Sequence, residues 1–199
     1  MTAKYVMDHG RTVVGDVAWH WVHEGMVGSV GDDRRLVIWD CRAPGKPAQV
    51  VTAHAAEANC VAFNPCSDHL IATGSSDTTV AIWDMRNLGQ KLHSLESHTD
   101  GVLQVQWSPH YEKVLLSGSM DKRVNVWDLE RVGCVQTEEE QADGPPELLF
   151  VHGGHVGRIE DAAWNQNDPL VVCSAAEDNT VHVWQMTSSV YEENDESDD

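Results

Sequence analysis

Four kinds of side chain recur along this 199-residue chain at fixed spacings. His54, His98 and His155 each stand 29 residues before a tryptophan, namely Trp83, Trp127 and Trp184. Asp77, Asp121 and Asp178 stand six residues before the same tryptophans, and Asp33 stands six before Trp39. A hydroxyl residue (Ser29, Thr73, Ser117 or Ser174) lies four before each of those aspartates. Recurrence of four residue types in register marks them as parts of one repeated unit. His152 and His155, in "HGGH", imitate half of a metal site, but no cysteine or acid supplies a companion set, and no metal or other cofactor is expected. There is no nucleophile elbow, phosphate-binding glycine loop or HExxH helix, so no enzymatic activity is expected.

The elements that must position these groups follow from the period. Trp39, Trp83 and Trp127 are 44 residues apart, and Trp184 follows 57 later. The surplus falls in a stretch containing "EEEQADGPPELLF". Each tryptophan ends a similar phrase: "LVIWD", "VAIWD", "VNVWD", "VHVWQ". An aromatic residue follows each histidine by nine (Phe63, Trp107, Trp164), and Trp19 holds that place in the first repeat. There the histidine slot itself is Gly10, with His9 one step away. The intervening segments are short, β-branched, alternating and separated by Gly, Ser and Asp turns, which predicts strands.

Four strands per period of 40 to 45 residues, ending in Trp-Asp, resembles the WD40 signature of a β-propeller blade. The resemblance implies that the recurring His, Ser/Thr, Asp and Trp form a buried hydrogen-bond network that ties the blade's turns together and must be satisfied throughout, so their expected role is structural. The expected fold is all-β, a WD40 propeller over residues 1–191 with four blades visible, read either as a compact four-bladed ring or, the reading the degenerate first repeat favours, as the C-terminal part of a seven-bladed parent. Outermost strands are expected near 48–53, 91–95 and 147–151. The stretch "AKYVMD" reads as an outer strand that pairs with the last blade. Residues 129–146 are expected to form an acidic, proline-containing insertion loop, and 192–199 a disordered acidic tail.

The formal net charge is −19. Such a surface repels phosphate backbones and favours basic partners, so direct nucleic-acid binding is not expected. Five cysteines, with no CxxC spacing, point to reduced and mostly buried thiols. No stretch has the apolar length of a membrane span or the core of a signal peptide.

More specific phrases are "NCVAFNP", "IATGSSDTTVAIWDMRNL", "LHSLESHTD", "VQWSPH", "DGPPELLFVHGGH" and "VCSAAEDNTVHVWQM". Together, from about Val13 to Tyr191, they resemble the retinoblastoma-binding histone chaperones, also called the multicopy-suppressor-of-IRA family. The resemblance implies a nuclear, histone-binding scaffold subunit of chromatin assembly, Polycomb, deacetylase, remodelling or acetyltransferase complexes. It implies that a basic helix of histone H4 sits in a groove built from Glu138, Glu139, Glu140, Asp143, Pro145, Pro146, Glu147 and Leu148. It also implies a top-face site for basic peptides such as the histone H3 tail, with Glu57, Asn59, Arg158 and Glu177 at matching positions. Gly15 and Gly101 stand where family members carry Glu, and Leu103 where they carry Phe, which weakens a cationic-peptide site. The family's N-terminal helix, the other half of the H4 clamp, has no counterpart in this sequence. Two other readings stay open. "WDCR" and "WDMR" fit the WDxR box by which substrate receptors present an arginine, here Arg42 or Arg86, to a cullin-RING ubiquitin-ligase adaptor. Alternatively, the chain is a nonfunctional truncation.

Overall fold

The computed structural model describes residues 6–43 and 45–187. Among the described residues fifteen strands form four antiparallel sheets in chain order. The first holds β1 (Val14–Trp19), β2 (Met26–Gly31), β3 (Arg35–Asp40) and β4 (Pro47–Thr52). The second holds β5 (Ala58–Phe63), β6 (Leu70–Ser75), β7 (Thr79–Asp84) and β8 (Lys91–Glu96). The third holds β9 (Val102–Trp107), β10 (Val114–Ser119), β11 (Val124–Asp128) and β12 (Leu148–His152). Among the described residues the fourth has three strands: β13 (Ile159–Trp164), β14 (Val171–Ala176) and β15 (Val181–Gln185).

Each sheet is a meander, so its hairpins need one residue with positive φ just past the network aspartate. Arg34, Thr78, Lys122 and Asn179 adopt it, with φ of 66°, 73°, 72° and 64°. Alternate strand residues then point to opposite faces, and both faces of the middle sheets are apolar. One core joins the first two blades, where Val30, Leu36 and Ile38 meet Val61, Phe63, Ile71 and Trp83. A second joins Val80, Ile82 and Leu95 to Val105, Leu115 and Trp127. A third joins Leu116 and Val126 to Ile159, Ala162, Trp164 and Val172. The architecture is a stack of propeller blades packed face to face.

Indole N–H groups stitch the inner strands across blades. Trp107 Nε1 donates to Ala62 O at 3.1 Å, and Trp164 Nε1 to Gln106 O at 3.2 Å. Trp19, in the corresponding place on the first blade, is 66% exposed. The faces of the two end blades are open in the same way, with Val17 on β1 and Val181 and Val183 on β15 all mostly exposed.

Three expectations need correction. Of "AKYVMD", residues 3–5 lie outside the described residues, and Val6–Asp8 form no strand. Met7 packs instead on Val27, Val37, Trp39 and Cys41 of the first blade, a face that no other sheet covers among the described residues. The segment 129–146 is not irregular throughout. It contains a 3₁₀ turn at Leu129–Arg131 and a helix, α1 (Glu138–Asp143), started by a reciprocal capping box between Thr137 and Glu140. The cysteines are all free, but Cys66, Cys134 and Cys173 are exposed and only Cys41 and Cys60 are buried. The tail 192–199 lies outside the described residues.

Candidate functional site

The repeated polar residues meet as networks. In the third blade, His98 Nδ1 lies 2.8 Å from Asp121 Oδ2 and His98 Nε2 lies 2.7 Å from Ser117 Oγ. Trp127 Nε1 donates to the same Ser117 Oγ at 2.8 Å. Because indole only donates and carboxylate only accepts, the proton order is determined. Trp127 donates to Ser117, Ser117 donates to His98 Nε2, and His98 Nδ1–H donates to Asp121. The second blade repeats this with His54, Asp77, Thr73 and Trp83 at 3.1, 2.8 and 3.0 Å. In the fourth, His155 stands 3.4 Å from Asp178 and 2.8 Å from Ser174, which Trp184 reaches at 3.2 Å.

The carboxylates also accept backbone N–H groups, from Ala55, Thr99 and Val156, at 2.9 to 3.0 Å. Those residues lie in the connection between one blade's outer strand and the next blade's inner strand. The network therefore fastens each blade to its successor. Burial pushes the Asp77 carboxyl up, but the Thr79 hydroxyl and the Ala55 N–H outweigh it and hold it at about 2. Burial lowers the His54 imidazole more than Asp77 raises it.

In the first blade, His9 fills the slot with a one-residue offset. Its Nδ1 is 3.3 Å from Asp33 Oδ2, yet neither ring nitrogen makes a well-directed hydrogen bond. Trp39 Nε1 still donates to Ser29 Oγ at 2.7 Å.

The insertion makes a cleft on the blade edge, about 480 Å³, beside α1. Glu140, Asp143, Pro145, Pro146, Leu148 and Leu149 are among the groups that line it. Gly144 (φ 138°) turns the chain out of the helix, and a Cβ there would stand 2.7 Å from Leu148 Cδ2. Glu139 and Asp143 are exposed. Glu140 Oε2 accepts the Thr137 N–H at 2.7 Å as part of the cap. Glu147 departs from the expected groove. It is 5% exposed, and its Oε1 lies 2.8 Å from His93 Nε2 on β8. It ties the insertion to the second blade because it directly precedes β12, whose register turns it inward. Leu148 packs against the core between blades two and three, and Leu149 against that between blades three and four.

The expected top-face residues fall into two groups. Asn59 Nδ2 donates to Val102 O at 2.8 Å, and the Glu57 carbonyl accepts the Ser76 N–H at 2.9 Å. On the fourth blade Arg158 Nε lies 2.6 Å from Glu160 Oε1 and 3.4 Å from Glu177 Oε2, so its charge is already matched. The glycines between them have a packing cause. A Cβ at Gly15 would lie 3.0 Å from Ala58 O, and one at Gly101 3.3 Å from Ser76 Cα. Arg42 and Arg86 each fold back in a fork onto Asp40 and Asp84, with closest contacts of 2.8 and 2.6 Å. The Arg42 guanidinium holds the Asp40 carboxyl at about 2.

Sequence reasoning missed His182 and His93. His182, two residues before Trp184, stacks on His155 with centroids 3.9 Å apart and planes at 12°. Its position equals that of Val37, Ala81 and Asn125 in the other repeats, and only that comparison could have drawn notice to it.

Repeated four-stranded sheets joined through such networks define a repeat protein of the β-propeller class. The family model "WD domain, G-beta repeat" matches residues 45–84, 89–128 and 146–185, and the chain belongs to the WD40 repeat family. Each matched unit begins with the outer strand of one blade and ends with the third strand of the next. The repeat unit thus spans the joint that the histidine network closes. WD40 propellers serve generally as non-catalytic interaction scaffolds, and the matched repeats support that role for this chain.

Proposed function

We propose that this scaffold binds basic protein segments, namely a histone H4 helix at the α1 cleft and the histone H3 tail on the top face, as a nuclear subunit of chromatin assembly or modifying complexes. The observation that carries the reading is the cleft itself. Exposed Asp143 lines it with Glu140, Pro145, Pro146 and Leu148, and exposed Glu139 lies on the same helix, on a chain of net charge −19. Carboxylates meet Lys and Arg there, and apolar groups meet the other side of an amphipathic helix. The two prolines restrict the wall, so less entropy is lost on binding. The carboxylates assigned to the partner are those on α1, with Glu147 retained by His93.

The test is a titration with an H4 helix peptide. Exchanging Glu139→Lys and Asp143→Lys together should weaken binding at least about tenfold, as expected for loss of charge-assisted contacts. Urea unfolding should stay within about 0.5 kcal/mol because both sites are on the surface. Unaltered binding would sink the reading.

A second reading is favoured by the matched poses of Arg42 and Arg86, each fixed in a carboxylate fork at the end of the third strand of its blade. In that reading they present a repeated basic edge to a ubiquitin-ligase adaptor. Arg42→Ala and Arg86→Ala would then abolish adaptor capture and leave histone peptide binding unchanged.

A further inference from the structure

We propose that His152, His155 and His182 form a site for a divalent transition-metal ion of the zinc type, cross-linking the third and fourth blades. They are the one group of three or more His, Cys, Asp or Glu among the described residues with ligand-spaced donor atoms, all within 4.8 Å of one another. His152 ends β12, His155 follows two glycines later, and His182 lies on β15.

The leading pair is His152 Nε2 and His182 Nδ1, 3.0 Å apart with ring planes at 88°. Two nitrogens on one tetrahedral zinc, each at roughly 2.0–2.1 Å, stand about 3.3 Å apart, so the pair needs little adjustment. The tautomer of His182 follows from its neighbour. Thr180 Oγ1 gives its one proton to Asp178 Oδ1 at 2.6 Å, so it accepts from His182 Nε2 at 3.3 Å. Nε2 therefore carries the hydrogen, and the Nδ1 lone pair faces His152. This outer partner orients the ring as metal-bound histidines are usually oriented.

Stacking holds the other rings. His152 lies flat on Trp184, 4.7 Å between centroids and 9° between planes. Gly154 leaves the approach open, since a Cβ there would stand 3.2 Å from His152 Nε2 and 3.2 Å from His182 Cε1. His155 Nδ1 rests 3.4 Å from Asp178 and 3.3 Å from Thr180 Oγ1, and because its ring lies flat on His182 it offers a third donor by turning out of that stack. His152 and His155 change tautomer on binding, with no net proton released, and water completes the coordination. Imidazole donors without thiolate suit zinc, copper, nickel or cobalt over magnesium or calcium.

The test uses the full chain and zinc alone, in competition with a chromophoric chelator and in thermal unfolding. The intact chain should bind one equivalent, and its unfolding temperature should rise with zinc because the ion binds only the folded form. His152→Gln and His182→Gln should each weaken binding at least about tenfold and remove the zinc-dependent rise. His110→Gln, an exposed histidine elsewhere, should do neither. His155 is left unaltered because its loss would also break the blade network. Failure to bind zinc, or binding indifferent to both the His152 and His182 variants, overturns the proposal.

Discussion

The two inner blades and the two end blades are built from the same residues but hold them differently. In the inner blades the His–Asp contacts are 3.1 and 2.8 Å, and in the end blades they are 3.3 and 3.4 Å. Trp83 and Trp127 are buried, whereas Trp184 is half-buried. An inner blade has a sheet against each face, which excludes water and strengthens every polar contact between them. An end blade has one face without a neighbouring sheet among the described residues. The His–Asp contact is therefore tight only where packing on both sides fixes it, whereas the indole bond of the first blade, from buried Trp39 to Ser29 at 2.7 Å, does not need the second neighbour.

The largest test of this contrast removes the central indole. Trp127→Ala should cost about 3–5 kcal/mol, the usual range for deleting a buried aromatic side chain. It also removes the donor to Ser117. Trp184→Ala should cost clearly less, since that ring already meets solvent. Equal shifts in the two urea midpoints would remove the distinction between inner and end blades.

Next comes the histidine. His98→Leu leaves the Asp121 carboxylate and the Ser117 hydroxyl without their shared partner, which should cost about 1–3 kcal/mol. His9→Leu should change stability by no more than about 0.5 kcal/mol, because the ring nitrogens of His9 already lack well-directed bonds. A cost at His9 matching that at His98 would show that the offset histidine works as the regular ones do.

Acid should expose the same networks in two stages. The His54 imidazole is lowered by burial, so the unfolded chain takes up a proton at its ordinary value while the folded chain resists. That stability is complete above about pH 6.5 and falls as pH drops below it. Asp77, held at about 2, contributes stability above about pH 4 that is lost as pH falls towards 2. The urea midpoint should decline in both windows, and Asp77→Asn should flatten the lower one. A midpoint level from pH 7 to pH 3 would contradict the assignment.

The repeats, the strand order and the members of the inner networks were legible because each depends on local spacing: 44 residues between tryptophans, two between faces of a strand. The behaviour of Glu147 and His182 was not, because each depends on which residue of another strand lies opposite. Glu147 reads as one more acid in an acidic run. Only the pairing of β12 with β11 and the neighbouring position of β8 turn it towards His93. His182 occupies an ordinary strand position, and it meets His152 only because the fourth blade packs against the end of β12. The first-blade histidine lay between these cases, since its offset was visible but its failure to bond was not.

The smallest test concerns the hairpin that presents the network aspartate. All four blades place a non-glycine residue at positive φ there, and the inner Thr78 is β-branched, the side chain that tolerates this conformation least. The end blade has Asn179 at the same place. Left-handed backbone costs an ordinary residue roughly 1–2 kcal/mol and costs asparagine less. Thr78→Asn should therefore raise stability by about 0.5–1 kcal/mol, and Asn179→Thr should lower it by a similar amount. The strain at Thr78 persists because His54, Thr79 and the Ala55 N–H all converge on Asp77, its neighbour. In the fourth blade the His–Asp contact is longer, so the same threonine would have less to hold it there. Asn179→Thr should accordingly loosen the hairpin, seen as faster amide exchange at Thr180 and Val181, whereas Thr78→Asn should leave exchange at Thr79 and Val80 unchanged. If the two exchanges were equal and opposite in stability but identical in amide exchange, the inner network would have no part in tolerating the strain.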